Sequence, residues 1–238
     1  ALTRGVDGIA VSPIDPVNQT DMLNRIAGAA NLVTHDSDAP DSDRKAYIGM
    51  DNYKAGRLCG QLIKEALPEG GDIMILIGRM EQDNSRKRRQ GVIDELLDRS
   101  SDSSRFDPPG EVIKGEKYTI LGTLTDSFDL AKAKANAEDA LSRHPDISAM
   151  VGLFAYNPPA IIQALEQAGK IGAVKIIGFD EDEQTLAGIQ SGAVHGTVVQ
   201  NPYEYGYQSV KLLNQLAGGD ESALAGGEFI SIPGRQIR

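Results

Sequence analysis

The chain has 238 residues, of which 40% are hydrophobic and 24% are charged, and its formal net charge at pH 7 is −10. A strongly acidic surface repels phosphate backbones and anionic membranes, so the charge balance argues against nucleic-acid binding. The single cysteine, Cys59, excludes an intrachain disulfide, and no apolar run in the sequence is long enough to span a bilayer.

The first third of the chain predicts three short strands and two helices. In the first helix, Met22, Leu23 and Ile26 are spaced so that they share one apolar face. Pro68 and the Gly70-Gly71 pair end the second helix. The predicted strands cover residues 6–12, 32–34 and 47–50, and the predicted helices cover residues 17–30 and 55–67.

The same alternation continues to the end of the chain. Residues 73–77 form an unbroken apolar run, which is typical of a strand buried on both faces of a parallel sheet. Residues 100–110 are rich in Ser, Asp and Pro and are expected to form a surface insertion. The other predicted strands cover residues 118–124, 147–154, 174–179, 194–199 and 229–232, and the other helices cover 85–97, 130–141, 158–169, 182–190 and 203–216. This alternation predicts an α/β fold with a doubly wound parallel sheet and helices on both faces.

Polar side chains follow nearly every predicted strand. In sheets of this kind, ligands bind beyond the carboxyl ends of the strands. Asp, Asn, Gln and Arg can bridge two adjacent hydroxyls of a sugar, and aromatic rings can cover its C–H face. A single Asp after a strand is most often a helix cap, so it is the recurrence that favours a sugar site. The residues concerned include Asp36, Arg86, Asp126, Phe128, Tyr156, Asn157, Asp180 and Gln200.

With these residues in place, the chain resembles the periplasmic sugar-binding proteins of the ribose-binding type. Eight segments occur in that family's order and at near-family spacing, namely residues 5–9, 33–36, 48–52, 84–91, 126–129, 156–157, 177–180 and 199–202. The resemblance implies two similar doubly wound parallel-sheet lobes joined by a three-strand hinge. It assigns residues 1–50 and 201–230 to an N-terminal lobe, and residues 51–200 and 231–238 to a C-terminal lobe. It also implies that the family's N-terminal strand–helix portion is missing.

The resemblance nominates the residues that bind sugar in this family. They are Asp36, Arg86, Phe128, Asn157, Asp180 and Gln200, with Ser37 and Tyr156 as possible further contacts. Ser37 stands where many members carry an arginine, a departure that bears on which sugar is bound. The resemblance further implies a monosaccharide or small polyol held between the lobes without chemical turnover, no cofactor or metal, a permease of an ABC transporter as partner, a monomeric state and a periplasmic location.

Two other function classes stay open at this point. A transcriptional regulator of the LacI kind has the same effector-binding fold, preceded by a DNA-binding headpiece. In a glycosidase-like enzyme, Asp36 and Asp180 would form the carboxylate pair. The sequence contains no G-x-S-x-G elbow, P-loop or HExxH motif. We interpret the basic run of residues 86–89 as a solvated helix face that carries one ligand arginine.

Overall fold

The structure, a computed structural model, describes residues 2–238. Its strands are β1 (Gly8–Val11), β2 (Asn31–His35), β3 (Ala46–Gly49), β4 (Gly71–Ile77), β5 (Ile113–Lys114), β6 (Tyr118–Thr125), β7 (Ala149–Gly152), β8 (Lys175–Phe179), β9 (Gly196–Val199), β10 (Phe229–Ser231) and β11 (Arg235–Ile237). Its α-helices are α1 (Pro16–Ala27), α2 (Asn52–Ala66), α3 (Asp83–Leu96), α4 (Leu130–Arg143), α5 (Asn157–Gln167), α6 (Glu183–Ser191) and α7 (Pro202–Ala217). Short 3-10 helices lie at Leu2–Arg4 and Ser222–Leu224. Within residues 2–238, no helix has the length and apolar character needed to cross a membrane.

The strands form two sheets. The first has the order β1-β2-β3-β10, and all of its neighbouring strands are parallel. The second has the order β11-β9-β8-β7-β4-β6-β5; its edge strands β5 and β11 are antiparallel to their neighbours and the other pairs are parallel. The predicted α/β fold with parallel sheets is confirmed. The sequence does not predict the two antiparallel edge strands, because at two and three residues they are too short to show a pattern.

The chain divides into two units, each built around one sheet. Unit 1 holds the residues up to Asp51 together with Glu81–Asn84 and Gln200–Gly234. Unit 2 holds Asn52–Met80, Ser85–Val199 and Arg235–Arg238. Since β10 pairs with β3, residues 229–231 belong to the sheet of unit 1. The action of these units as two hinged lobes stays a prediction.

Helices pack on both faces of the sheet in unit 1. Successive residues of a strand point to opposite faces, so Leu32 and Val33 of β2 belong to different layers. Val33 packs with Ile48 and with Leu212 of α7. Leu32 packs with Leu23 of α1. The predicted apolar face of the first helix is confirmed for Leu23 and for Ile26, which packs against the same cluster, but it is wrong for Met22, which is 58% exposed because it lies about 100° around the helix from Leu23.

The sheet of unit 2 is also covered on both faces. β4 lies between β7 and β6, and Ile73–Ile77 are all buried, as predicted for a strand inside a parallel sheet. Met74 and Leu76 pack with the small side chains of Ala137 and Ala140 on α4. The helix α2 packs against β8 and β9.

The basic run at the start of α3 is not a solvated face. Arg88 and Arg89 are 1% and 0% exposed, whereas Arg86 is half-buried. The interpretation of this run as solvent-facing is therefore wrong for Arg88 and Arg89. Each of them lies four residues before a buried core residue, Val92 or Ile93, and a spacing of four places side chains on one helix face.

Two glycines bring α2 and α3 into close backbone contact. A Cβ atom on Gly56 of α2 would overlap the carbonyl oxygen of Arg88 on α3. A Cβ atom on Gly91 of α3 would overlap the carbonyl oxygen of Tyr53 on α2. Only residues without a side chain allow the two backbones to approach this closely, so these glycines set the position of α3.

The predicted surface insertion is tied to α3 by a polar network. Asp94, which is fully buried, accepts a hydrogen bond from Gln90 Nε2 at 3.0 Å and pairs with Arg105 of the insertion at 2.8 Å. Arg89 donates to the carbonyl oxygen of Asp107 at 2.6 Å. The insertion is thus a strap fastened to the helix that carries Arg86, Arg88 and Arg89.

Candidate ligand-binding site

Asp36 directly follows β2, at the carboxyl end of the sheet in unit 1. Its backbone is left-handed, with φ 62°, and its carboxylate accepts a hydrogen bond from Ser12 Oγ at 3.1 Å. Tyr47 Oη donates to the Asp36 carbonyl oxygen at 2.9 Å. Ser12 follows β1 and Tyr47 lies on β3, so both neighbouring strands contribute a hydrogen bond that holds Asp36 in place.

Three more residues of unit 1 lie at strand ends. Burial lowers the pKa of His35, an effect that the adjacent Asp36 carboxylate partly offsets. Ser37 is fully buried, and its Oγ has no hydrogen-bond partner in the part of the chain that the structure describes. Gln200 is half-buried between β9 and α7, with its Oε1 atom 3.5 Å from Tyr205 Oη.

In unit 2, the Asp126 carboxylate is the centre of a polar cluster at the carboxyl end of β6. Asp126 is fully buried. Its Oδ1 atom accepts hydrogen bonds from Phe128 N at 2.8 Å and from Tyr156 Oη at 2.6 Å. Its Oδ2 atom accepts one from Asn157 Nδ2 at 2.9 Å. Three of the residues nominated from the sequence therefore meet at one carboxylate.

The partners of Asp126 are held firmly. Asn157 is 0% exposed, and its Oδ1 atom accepts a hydrogen bond from Phe154 N at 3.1 Å. Burial, together with the hydrogen bond to Asp126, raises the pKa of Tyr156 well above its ordinary value. The Tyr156 hydroxyl therefore keeps its proton, and that proton points to the carboxylate.

Aromatic rings form a wall beside this cluster. Phe128 meets Phe154 edge-on with ring centroids 5.7 Å apart, and Phe154 stacks on Tyr156 at 6.0 Å. The Arg79 guanidinium lies 5.4 Å from the centre of the Phe128 ring. Phe128 is 36% exposed, so part of its ring is open to a ligand.

Asp180 follows β8 and also has a left-handed backbone, with φ 68°. Its N–H donates to the Val198 carbonyl at 2.8 Å, and its own carbonyl accepts from Thr197 Oγ1 at 2.9 Å. The cap of α6 is Asp182, whose carboxylate accepts from Gln184 N at 2.8 Å. Asp180 is therefore not the cap of this helix, although a single Asp after a strand is most often a cap.

Two arginines of α3 differ sharply in setting. Arg86 lies half-buried in the first turn of the helix. Arg88 is buried, with its guanidinium 4.0 Å from the centre of the Phe179 ring and 5.4 Å from that of Phe154. Its Nε donates to Asn52 Oδ1 at 2.8 Å. Arg88 thus packs against Phe154 and Phe179, which lie close in sequence to the predicted contacts Asn157 and Asp180.

Left-handed backbone marks three of the nominated residues. In the part of the chain that the structure describes, the non-glycine residues at positive φ are Asp36, Asp98, Ser127, Phe128 and Asp180. For a bulky residue such as Phe128 this conformation is a genuine outlier. Strained backbone of this kind costs about 1–3 kcal/mol and clusters at ligand-binding positions. Three of these five residues, Asp36, Phe128 and Asp180, are among those nominated from the sequence, and Ser127 is the neighbour of Phe128.

Asp126, Phe154 and Arg88 are not among the ligand contacts that the family resemblance nominates. Asp126 was visible as a polar residue after a strand, but its role depends on partners about 30 positions further along the chain. Arg88 was visible as a helix position four residues before a core valine. Phe154 is the last residue of a predicted strand, and nothing in the sequence distinguishes it from a core residue. Among residues 2–238, no group of three or more His, Cys, Asp and Glu side chains forms a metal site.

Two α/β units with parallel sheets, and strained polar and aromatic residues after their strands, define a ligand-binding protein. Residues 1–221 match the family model described as periplasmic binding protein domain. The chain therefore belongs to the periplasmic binding protein family. No comparison favours a regulator of the LacI kind.

Relatives with established names are sugar-binding transport proteins. The ribose import binding protein of Salmonella typhimurium is 24% identical over 226 residues, which cover 92% of this chain and 68% of the relative. The D-allose-binding periplasmic protein of Escherichia coli is 24% identical over 219 residues, covering 88% of this chain and 65% of the relative. The chain thus spans about two thirds of the length of these relatives.

Solved structures give the same result. GanP, a glucose-galactose binding protein from Geobacillus stearothermophilus, has a TM-score of 0.87 and 27% identity, and the match covers 100% of this chain and 78% of that one. An ABC transporter solute-binding protein from Burkholderia graminis, in complex with D-arabinose, has a TM-score of 0.86 and 26% identity, and the match covers 99% of this chain and 76% of that one.

Proposed function

We propose that this chain is the sugar receptor of an ABC transporter, which binds a monosaccharide or small polyol and releases it chemically unchanged. Its partner is a membrane permease, it acts as a monomer in the periplasm, and it needs no cofactor or metal. The observation that carries the proposal is the left-handed backbone of Asp36, Phe128 and Asp180, each of which lies one to three residues after the end of a strand. The names of the relatives support the same function.

Each nominated side chain has a role that its chemistry allows. The carboxylates of Asp36 and Asp180 accept hydrogen bonds from sugar hydroxyls, and Arg86 donates to hydroxyl or ring oxygens. Gln200 can do both. Phe128 covers the apolar C–H face of the sugar, with Tyr156 beside it.

Two nominated residues have narrower roles. Asn157 is fully buried, and its amide hydrogen-bonds both the Asp126 carboxylate and the Tyr156 hydroxyl, so its contribution is to hold these two groups in place beside the ligand. Ser37 is also fully buried, so its Oγ can contact a ligand only if the residues that cover it move aside.

Calorimetric titration with D-ribose, D-allose, D-arabinose, D-glucose and D-galactose tests the proposal. We expect one or more of these sugars to bind with a dissociation constant in the micromolar range or below. NMR of the recovered sugar after prolonged incubation should show no new species, whereas turnover would favour the glycosidase-like alternative. Failure of every sugar and of short polyols to bind would contradict the proposed function.

A further inference from the structure

We infer that Asp126 is a positioning residue of the sugar site, an inference that rests on the proposed function. It reaches the ligand through Phe128, Tyr156 and Asn157, all of which donate hydrogen bonds to its carboxylate. Asp126 itself is fully buried, so its role is to fix its neighbours and not to contact sugar.

The carboxylate decides which polar groups the site presents. An ionised carboxylate only accepts hydrogen bonds, so each partner must turn a donor towards it. The Tyr156 proton is committed to Asp126 Oδ1, which leaves the phenolic oxygen to act as an acceptor towards a ligand. The Asn157 amide is fixed by two bonds, from Nδ2 to Asp126 and to Oδ1 from Phe154 N. Asn157 is therefore fixed as a donor within the cluster, to Asp126 and to the Tyr156 hydroxyl, and Tyr156 keeps one oxygen lone pair as an acceptor towards a ligand.

The same carboxylate supports the strained turn that carries Phe128. Ser127 and Phe128 are consecutive residues with φ 58° and 66°. The hydrogen bond from Phe128 N to Asp126 Oδ1, at 2.8 Å, closes this turn on the residue at the end of β6. Loss of that acceptor frees the turn to relax, and the Phe128 ring would then leave its edge contact with Phe154.

A matched control lies on the same loop. Asp129 also accepts a backbone hydrogen bond, from Lys132 N at 2.9 Å, but it caps α4 and touches none of the three site residues in its described contacts. Asp126→Asn and Asp129→Asn make the same isosteric change three residues apart. A role limited to loop stability would make the two variants behave alike.

The test uses whichever sugar of the five-sugar panel binds the unmodified chain most tightly. We expect Asp126→Asn to weaken binding about ten- to a hundredfold. Asp129→Asn should leave the dissociation constant within about twofold and the melting temperature nearly unchanged, because asparagine caps a helix about as well as aspartate. In a double-mutant cycle, Asn157→Ala should cost clearly less affinity in the Asp126→Asn background than in the unmodified chain, because Asp126 acts through Asn157. A purely structural role would leave these two losses additive.

The outcomes separate the two proposals. If the unmodified chain binds sugar and Asp126→Asn binds it equally well, or if the cycle is additive, the inference is overturned and the proposed function stands. If the unmodified chain binds no sugar or polyol, the proposed function falls and this inference falls with it. Should Asp126→Asn not fold, Tyr156→Phe replaces it, since it removes one donor of the cluster and keeps the ring. That variant should bind about three- to tenfold more weakly, and unchanged affinity would overturn the inference.

Discussion

Asp180 and Asp182 are two carboxylates two positions apart with different tasks. Asp182 has an extended backbone and caps α6. Asp180 has a left-handed backbone, and its N–H donates to Val198 while its carbonyl accepts from Thr197, both in β9. A helix cap accounts for the position of an aspartate through a hydrogen bond to the backbone two or three residues further on. The strained position of Asp180 has no such local explanation, which supports its proposed contact with the ligand.

Replacement of Asp180 by alanine should nearly abolish sugar binding and leave the fold intact. An ionised carboxylate can accept from two sugar hydroxyls, and the loss of two such bonds weakens binding by about 3–5 kcal/mol, a hundred- to several-thousandfold. Asp182→Ala is the matched control and should lower the free energy of unfolding by about 1 kcal/mol with normal affinity. Calorimetric titration and urea unfolding of both variants measure the two effects. Normal affinity of Asp180→Ala would rule out its proposed role.

His35 should make the stability of the protein depend on pH. Burial lowers its pKa in the folded state, whereas the unfolded chain keeps the ordinary value of about 6.5. Below that value the unfolded chain binds a proton that the folded chain does not, so the free energy of unfolding falls as the pH drops below about 6.5. Urea unfolding at pH 7.5 and 5.5 should show a smaller difference for His35→Gln than for the unmodified chain. An equal difference in both would contradict the assignment.

At the scale of elements, α3 carries several basic residues in its first half, yet two of them, Arg88 and Arg89, are buried. Its charged side chains are accommodated because the strap and the neighbouring strands supply oxygen acceptors and aromatic faces. Arg89 Nε donates to Thr123 Oγ1 of β6 at 2.7 Å, and Arg88 lies over Phe179. The helix that carries Arg86 is therefore held from several sides.

Asp94→Ala should loosen the strap on α3. Asp94 is fully buried and pairs with Arg105, and removal of one partner of a buried charge network costs about 2–4 kcal/mol, reduced here because the arginine keeps some solvent contact. Glu138→Ala breaks an exposed pair with Lys134 on α4 and should cost less than about 0.5 kcal/mol. Urea unfolding measures both values, and faster proteolysis near residue 105 should accompany only the first change. Equal destabilisation by the two variants would contradict this role of Asp94.

Gly56→Ala should be strongly destabilising, whereas Gly206→Ala should not. The added methyl on Gly56 would overlap the carbonyl oxygen of Arg88, and overpacking of this kind costs about 1–3 kcal/mol. Gly206 lies in α7 with nothing within 4 Å of the added methyl, and there alanine should stabilise the helix by about 0.5–1 kcal/mol. Thermal melts of both variants should shift in opposite directions. A stabilised Gly56→Ala would show that α2 and α3 do not pack through this glycine.

At the scale of the whole molecule, sugar binding should appear as increased thermal stability. A ligand at a hundred times its dissociation constant raises the free energy of unfolding by about 2.7 kcal/mol, which for a chain of this length raises the melting temperature by about 5–10 °C. Thermal-shift assays with each sugar of the panel measure this effect. The shift should disappear in Asp180→Ala, and a shift of equal size in that variant would point to a ligand bound elsewhere.

The sequence alone predicts the α/β class, the order of the main strands and helices, and the strand ends at which polar residues collect. These features follow from local periodicity and from Gly and Pro signals, which need no knowledge of distant contacts. The burial of Arg88 and Arg89 could also have been predicted, because each lies four residues before a buried residue, Val92 or Ile93. The run of four basic residues instead favoured a solvent-facing interpretation.

How the site residues act depends on contacts that exist only in the tertiary structure. Asp126 gains its role from Tyr156 and Asn157, which lie 30 and 31 positions further along the chain. The choice of Asp182 over Asp180 as the cap, and the left-handed backbone of Asp36 and Phe128, likewise depend on hydrogen bonds to neighbouring strands. Such bonds form only when the sheet brings separate strand ends to one edge, and a pattern of residue types along the chain does not specify which donor meets which acceptor there.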